Sequence, residues 1–287
     1  MNTEMTAQYI TLDGSSAFVE TWGSTGRPVF CIHTAGQSGV QYREAAAGLA
    51  RLGYRVIVPD LPGHGRSEPH RDGPVTDLGD YAAWCVRLIE ALELVQPVIV
   101  GCSIGGKISL DIAARLGSRI HSVIAMAANA DRGHANVAGL RRELEDISAP
   151  SRADRTYYGT RAVVGSAVSE ERRELIARMH CREDPQVSIS DLLAWGSHDI
   201  FERLSTIDAP ARLVAGSDDL WIDAASVQRA AAQIPGAHYT YLDGIGHYPM
   251  EEMADFAEHV DRWVQEAGLA ADIPQSPQVA GTLNGSR

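Results

Sequence analysis

The sequence predicts an α/β fold: a mostly parallel central sheet of about eight strands, flanked by helices and carrying an inserted helical cap. Three observations predict it. Short, continuous apolar runs recur along the chain, as expected of strands buried on both faces. Stretches of helical periodicity separate them, which is the rhythm of strand–helix–strand units and therefore of a parallel sheet. The alternation breaks once, over residues 131–204, where the chain is charged, arginine-rich and without a strand-like run.

The elements follow in order. Residues 8–12 and 17–22 alternate as short strands, and Asp13-Gly14 between them supplies a hairpin turn. PVFCIH (28–33) is the first buried strand, followed by a helical stretch through Arg51 that Gly53 ends. RVIVPD (55–60) is the next, with the loop LPGHGRS after it and helical periodicity over 77–94. PVIVGCS (97–103) runs directly into a helix over 104–116, and IHSVIAMA (120–127) is a further strand. After the break come ARLVAGSD (211–218), a helix over 224–233, a strand over 237–242 and a last helix from about 251 to 266. This divides the chain into a first core segment (1–130), a helical cap (131–204), a second core segment (205–269) and a loose tail rich in Pro, Gly, Ser and Asn (270–287).

Composition narrows the partners. The 287 residues are 45% hydrophobic, enough for a core of ordinary size, and the net charge of −12 gives no electrostatic reason to expect nucleic acid or an anionic membrane. The arginine pairs Arg141-Arg142 and Arg172-Arg173 have glutamates beside them and read as solvated helix faces. The first residues show no basic-then-apolar signal, and no apolar run approaches the ~20 residues of a membrane span. Cys31, Cys85, Cys102 and Cys181 are irregularly spaced; two lie in strand-like runs, where cysteine acts as a small buried hydrophobe. The expected location is the cytoplasm, with reduced thiols.

The chemistry begins at Gly101-Cys102-Ser103-Ile104-Gly105-Gly106. This is a G-x-S-x-G pattern at a strand-to-helix junction, the context in which that pattern presents a nucleophile. So tight a turn strains the backbone of the serine, and glycines on either side remove side chains that would clash. The serine hydroxyl is then held at a helix N-terminus that favours developing negative charge. Together with HTAGQSG (33–39), DLPGHGRS (60–67) and GIGHYPMEE (244–252), the elbow resembles the α/β-hydrolase superfamily, and more narrowly its helical-cap esterase and lactonase-like branch. The likeness covers about residues 8–267.

An alcohol needs a base within hydrogen-bond reach. His247, in a Gly-Ile-Gly-His turn between the last predicted strand and helix, falls where the family's histidine lies. The resemblance implies that His64 supports the loop beneath the site. The imidazolium requires a carboxylate on its other nitrogen. Following the chain order Ser, Asp, His, VAGSDDLW offers Asp218 and Asp219; the family's G-x-x-D spacing from Gly216 selects Asp219, with Asp218 and Asp131 as alternatives. The oxyanion hole is expected from the N–H groups of Ile104 and Ala35. Here the sequence departs from the family's His-Gly-x pattern, because Thr34 stands where a glycine is usual.

His33, reading as a positioner, joins Thr34, Trp195, His198 and Trp221 as candidate substrate-binding residues. Tyr157 and Tyr158, with the cap's other aromatics, either wall a pocket or pack the cap onto the core. No paired Cys or His spacing suggests a metal, and the expected chemistry needs no cofactor. The expected activity is hydrolysis of a small-molecule carboxylic ester or lactone through an acyl-enzyme on Ser103, a reaction of the EC 3.1.1 class. Carbon–carbon bond hydrolysis or cofactor-free perhydrolysis on the same triad is the first alternative. A non-catalytic ligand receptor is another, and acyl transfer to a bound alcohol or thiol a third. Substrate identity and oligomeric state are not legible.

Overall fold

A computed structural model describes residues 4–133, 138 and 151–271. Eight strands form one sheet: β1 (Met5–Leu12), β2 (Ser15–Trp22), β3 (Pro28–Ile32), β4 (Arg55–Pro59), β5 (Val98–Cys102), β6 (Ser122–Met126), β7 (Ala211–Gly216) and β8 (His238–Leu242). Their order is β1-β2-β4-β3-β5-β6-β7-β8. β1 and β2 pair antiparallel, as do β2 and β4, and every later pairing is parallel. This is the α/β-hydrolase fold.

The continuous apolar runs have a direct cause. Alternate residues of each central strand face opposite sides of the sheet. Phe30, Ile32, Ile57, Ile99 and Val123 enter one buried cluster, while Val29, Cys31, Val56, Val58, Val98 and Val100 enter the other. Helices α2 (Leu78–Ala91), α3 (Ile104–Leu116) and α7 (Ala224–Gln233) cover the first face; α1 (Arg43–Arg51) and α9 (Phe256–Ala271) cover the second. Cys31 and Cys102 are buried in the strands that hold them.

Between β6 and β7 the described residues include the helices α4 (Ser151–Val163), α5 (Glu170–His180) and α6 (Pro185–Ser197). Ser169 caps α5 by accepting the Arg172 N–H at 3.2 Å, and Asp184 caps α6 by accepting from Gln186 and Val187. The Arg141-Arg142 pair lies outside the described residues, as does the tail beyond Ala271.

Several expectations need correction. The stretch expected as one helix up to Arg51 begins as a 3₁₀ turn over Gly39–Tyr42 before α1. The last helix is two: α8 (Pro249–Glu252) ends at Met253, whose backbone turns extended (φ −90°, ψ 121°), and α9 starts at Phe256. Arg172 and Arg173 are not a solvated face. Arg173 donates to the carbonyls of Arg161, Val164 and Gly165, and Arg172 to that of Glu251, so the pair pins the start of α5 to the neighbouring loop and to α8. Among the described residues no helix is long and apolar enough to cross a membrane.

Candidate active site

β5 ends at Cys102 and α3 begins at Ile104, so Ser103 must reverse the chain alone. It does so with φ 58° and ψ −119°, a left-handed backbone that a residue bearing a β-carbon adopts only under constraint. The constraint is visible. The Ser103 N–H donates to Met126 O of β6 at 2.9 Å, and its carbonyl accepts from Gly106 and Lys107 at 3.0 and 3.1 Å. A β-carbon on Gly101 would collide with the Gly105 backbone, and one on Gly105 with Ile32 O and His33 O. Both glycines are there because three strands of backbone meet beneath the serine.

Ser103 and His247 line one cavity of about 280 Å³. His247 is buried on the loop that follows β8. Its N–H donates to Val163 O at 2.9 Å, and its ring lies edge-on between Trp221 and Tyr248, both centroids at 4.9 Å. Nδ1 is 2.8 Å from Asp219 Oδ2. The other carboxylate oxygen of Asp219 accepts the N–H groups of Trp221 and Ile222 at 2.9 and 3.1 Å, so the carboxylate is locked facing the ring. Because Nδ1 is committed to Asp219, Nε2 is the nitrogen left to exchange a proton with a hydroxyl.

Neither alternative acid reaches the histidine. Asp218 turns toward Ser166 N–H (2.6 Å) and the Ser217 hydroxyl (2.7 Å), contacts that hold its carboxyl below the usual range. Asp131 is engaged with Asn129 and lies 3.7 Å from Arg229.

The loop after β3 is tied down amide by amide. Thr34 N–H donates to Gln41 Oε1 at 2.9 Å and Gly36 N–H to Asp191 Oδ2 at 2.8 Å, while Gln37 N–H closes on Thr34 O. The Ala35 N–H is left without such a bond among the described residues, beside Ser103 in the cavity lining. The departure from glycine at position 34 also has a reason: the Thr34 hydroxyl donates to the same Gln41 oxygen at 3.1 Å.

Of the candidate substrate-binding residues, Thr34 and Trp221 line the Ser103 cavity; His33, Trp195 and His198 do not. His33 is fully buried beneath it, accepting the Leu61 N–H on Nε2 (3.0 Å) and donating from Nδ1 to Thr34 O (2.9 Å). Burial, reinforced by His64, pushes its pKa down to about 4. Trp195 packs against Gly133, with Lys107 Nζ 5.1 Å from its ring, and His198 is buried near Asp77 and Asp111. Both are displaced from the cavity because α6 ends over α3, not over Ser103. Tyr157 bonds to Glu174 and Tyr158 is exposed, so α4 instead contributes Arg155, Thr156, Gly159 and Thr160 to the lining.

His64 supports the loop beneath the site as the resemblance implied, but by an unforeseen pairing. Its Nε2 is 2.8 Å from Asp191 Oδ2 and its Nδ1 3.1 Å from Pro62 O. Sequence reasoning also passed over Glu252. Its buried carboxylate accepts from Gly246 N–H at 2.6 Å, Tyr248 N–H at 2.9 Å and Gly165 N–H at 3.0 Å, fixing the backbone on both sides of His247. The only available signal was its place five residues after the histidine.

Sheet order and elbow together are those of the α/β-hydrolase fold. A family model described as the alpha/beta hydrolase fold matches residues 27–159. The match covers most of the first core segment, and the chain as a whole has the α/β-hydrolase fold. Among curated proteins it is 26% identical over 251 residues to a non-heme chloroperoxidase of Kitasatospora aureofaciens, covering 83% of this chain and 90% of that one. Among solved structures it resembles a thermophilic esterase of Thermogutta terrifontis (TM-score 0.80, 21% identity, 91% of this chain and 99% of that one). It also resembles Est816, described as an N-acyl homoserine lactone degrading enzyme (TM-score 0.73, 25% identity, 89% and 99%).

Proposed function

We propose that this chain is a serine hydrolase that cleaves a small-molecule carboxylic ester or lactone through an acyl-enzyme on Ser103. The observation that carries the reading is a single cavity lined by a strained elbow serine and by a histidine whose far nitrogen is bonded to a buried aspartate. Ser103 Oγ attacks the carbonyl carbon as His247 Nε2 takes its proton. Asp219 holds the ring's tautomer and stabilises the imidazolium. The amides of Ile104 and Ala35 receive the oxyanion, a contribution of ~3–4 kcal/mol for one such donor. His247 then protonates the leaving alcohol, and water activated by the same ring releases the acid. Helices α4, α5 and α6 serve as the cap, with Ile189 and Leu192 of α6 adding apolar wall.

The similarity to a non-heme chloroperoxidase favours a second reading, in which hydrogen peroxide replaces water at the acyl-enzyme and releases a peracid. Both readings require the same serine. Ser103→Ala is expected to fold normally, to lose labelling by a fluorophosphonate, and to lose all turnover of p-nitrophenyl esters and lactones. Full activity in that variant would remove the serine from the mechanism. Peracid formation from an ester and peroxide separates the two readings, and turnover of β-diketone-like substrates instead would point to carbon–carbon cleavage.

A further inference from the structure

A second imidazole, backed by a carboxylate, lines the same cavity, and the mechanism above does not use it. His180, the last residue of α5, lines the Ser103 cavity and also the adjoining one of about 590 Å³. Only 2% of its side chain is open, and its ring sits edge-on to Tyr248 with centroids 4.4 Å apart. Nε2 lies 2.6 Å from Glu251 Oε2.

Glu251 is itself fixed by Arg43 Nη1 at 3.1 Å and Gln41 Nε2 at 3.2 Å. The orientation of the Gln41 amide is not free, because its oxygen accepts from both the N–H and the hydroxyl of Thr34. Burial raises the Glu251 pKa, but His180 and Arg43 more than offset this and hold it below the usual range, so the group is a carboxylate. The Gln41 amide nitrogen also lies 3.2 Å from His180 Nε2, but the contact to Glu251 is the shorter. A carboxylate can only accept, so Nε2 carries the ring proton. In the neutral ring Nδ1 is then a lone pair, and it has no hydrogen-bond partner among the described residues.

We infer that His180 is a substrate-contacting specificity residue, whose Nδ1 accepts a hydrogen bond from a hydroxyl or amide N–H on the acyl or alcohol part of the substrate. The inference rests on the reading of Ser103 as nucleophile. The carboxylate behind the ring fixes tautomer and direction, as a carboxylate does behind any positioned histidine. Ser103 and His180 line one cavity of about 280 Å³, so a ligand that fills it touches both. The favoured substrate is therefore a hydroxylated or amide-bearing ester or lactone, in preference to a plain alkyl one of the same size.

The test uses two matched pairs: p-nitrophenyl 3-hydroxybutyrate against p-nitrophenyl butyrate, and 2-hydroxyethyl butyrate against propyl butyrate. In one pair at least, the native protein should prefer the hydroxylated member by about tenfold in kcat/KM, the size expected of one well-made hydrogen bond, with the difference in KM. His180→Phe, which keeps a ring against Tyr248, should abolish that preference, the hydroxylated member losing about tenfold more in kcat/KM than the plain one. No preference in either pair, a preference that survives in the variant, or an equal loss for both members would overturn the inference. Should the variant fail to fold, the preference of the native protein alone decides. The rate of fluorophosphonate labelling reads Ser103 separately: a native protein that does not label overturns the hydrolase reading, whereas one that labels normally and shows no preference overturns only the role of His180.

Discussion

Asp218 and Asp219 are neighbours of identical chemistry, and the direction of each side chain separates them. Asp219 spends one oxygen on the amides of the turn that follows it and the other on His247; Asp218 faces the loop after α4. Spacing from Gly216 pointed to Asp219, and the turn's hydrogen bonds explain why that side chain faces the histidine. Asp219→Asn should therefore lower kcat by about 10⁴-fold, because an amide nitrogen facing Nδ1 would stabilise the wrong tautomer. Asp218→Asn should leave kcat within a few-fold, as expected of a group with no contact to the ring. Steady-state kinetics on one ester substrate checks both, and comparable losses in the two variants would remove the distinction. At this scale the elbow serine, the histidine and Thr34 were legible, since each sits in a short local pattern. Gln41, His180 and Glu252 were not, because their partners are 7 to 210 positions away or are backbone amides, which no side-chain motif records.

Among elements, the eight strands were readable because the sheet's central strands are apolar on both faces and are punctuated by Gly and Pro. What went unread is how α6 is fastened to the core. Lys107 sits inside the apolar run of α3 and is fully buried, and its ammonium donates to Asp131 O at 2.7 Å, Trp195 O at 3.1 Å and His198 O at 3.2 Å. Burial pushes its pKa down to about 8, with Asp131 and Asp199 opposing. The residues expected to wall a pocket at 195 and 198 thus serve through their carbonyls, ending α6 on a cation from α3. A cation at a helix C-terminus is also favoured by the helix dipole. Lys107→Met fills most of the same space and leaves three carbonyls without their donor. At about 1–3 kcal/mol for a buried acceptor left unsatisfied, the variant should lose about 3 kcal/mol or more. Urea denaturation measures this, and amide hydrogen exchange should show the loss concentrated at the end of α6; an unchanged midpoint would mean that the carbonyls are satisfied by water.

Across the whole molecule, two histidines 4.7 Å apart hold the loops together in opposite charge states. His33 bridges Leu61 N–H and Thr34 O as a neutral ring. His64 faces two acceptors, Pro62 O and Asp191 Oδ2, and so needs both ring protons. Asp191 also accepts from Gly36 N–H and the Tyr81 hydroxyl, so one carboxylate on α6 gathers three distant parts of the core. The positioning roles of His33 and His64 were legible, but their charge states and partners were not, because a histidine's charge is set by what surrounds it after folding. It has a consequence for pH. His33 has a folded pKa near 4 against an ordinary 6.5, so between those values the unfolded chain binds a proton that the folded one refuses, and stability is lost as pH falls through that window. For His64, burial alone would lower the pKa, but Asp191 raises it above 6.5. Between 6.5 and that raised value the folded chain keeps a proton that the unfolded one has released, and stability is lost as pH rises. Melting temperatures measured across this range should therefore peak near the ordinary histidine value. Asp191→Asn should flatten the alkaline limb, since an amide no longer favours imidazolium at His64, and should leave the acid limb from His33 standing. An alkaline limb that persists unchanged in that variant would show that some group other than the His64–Asp191 pair sets it.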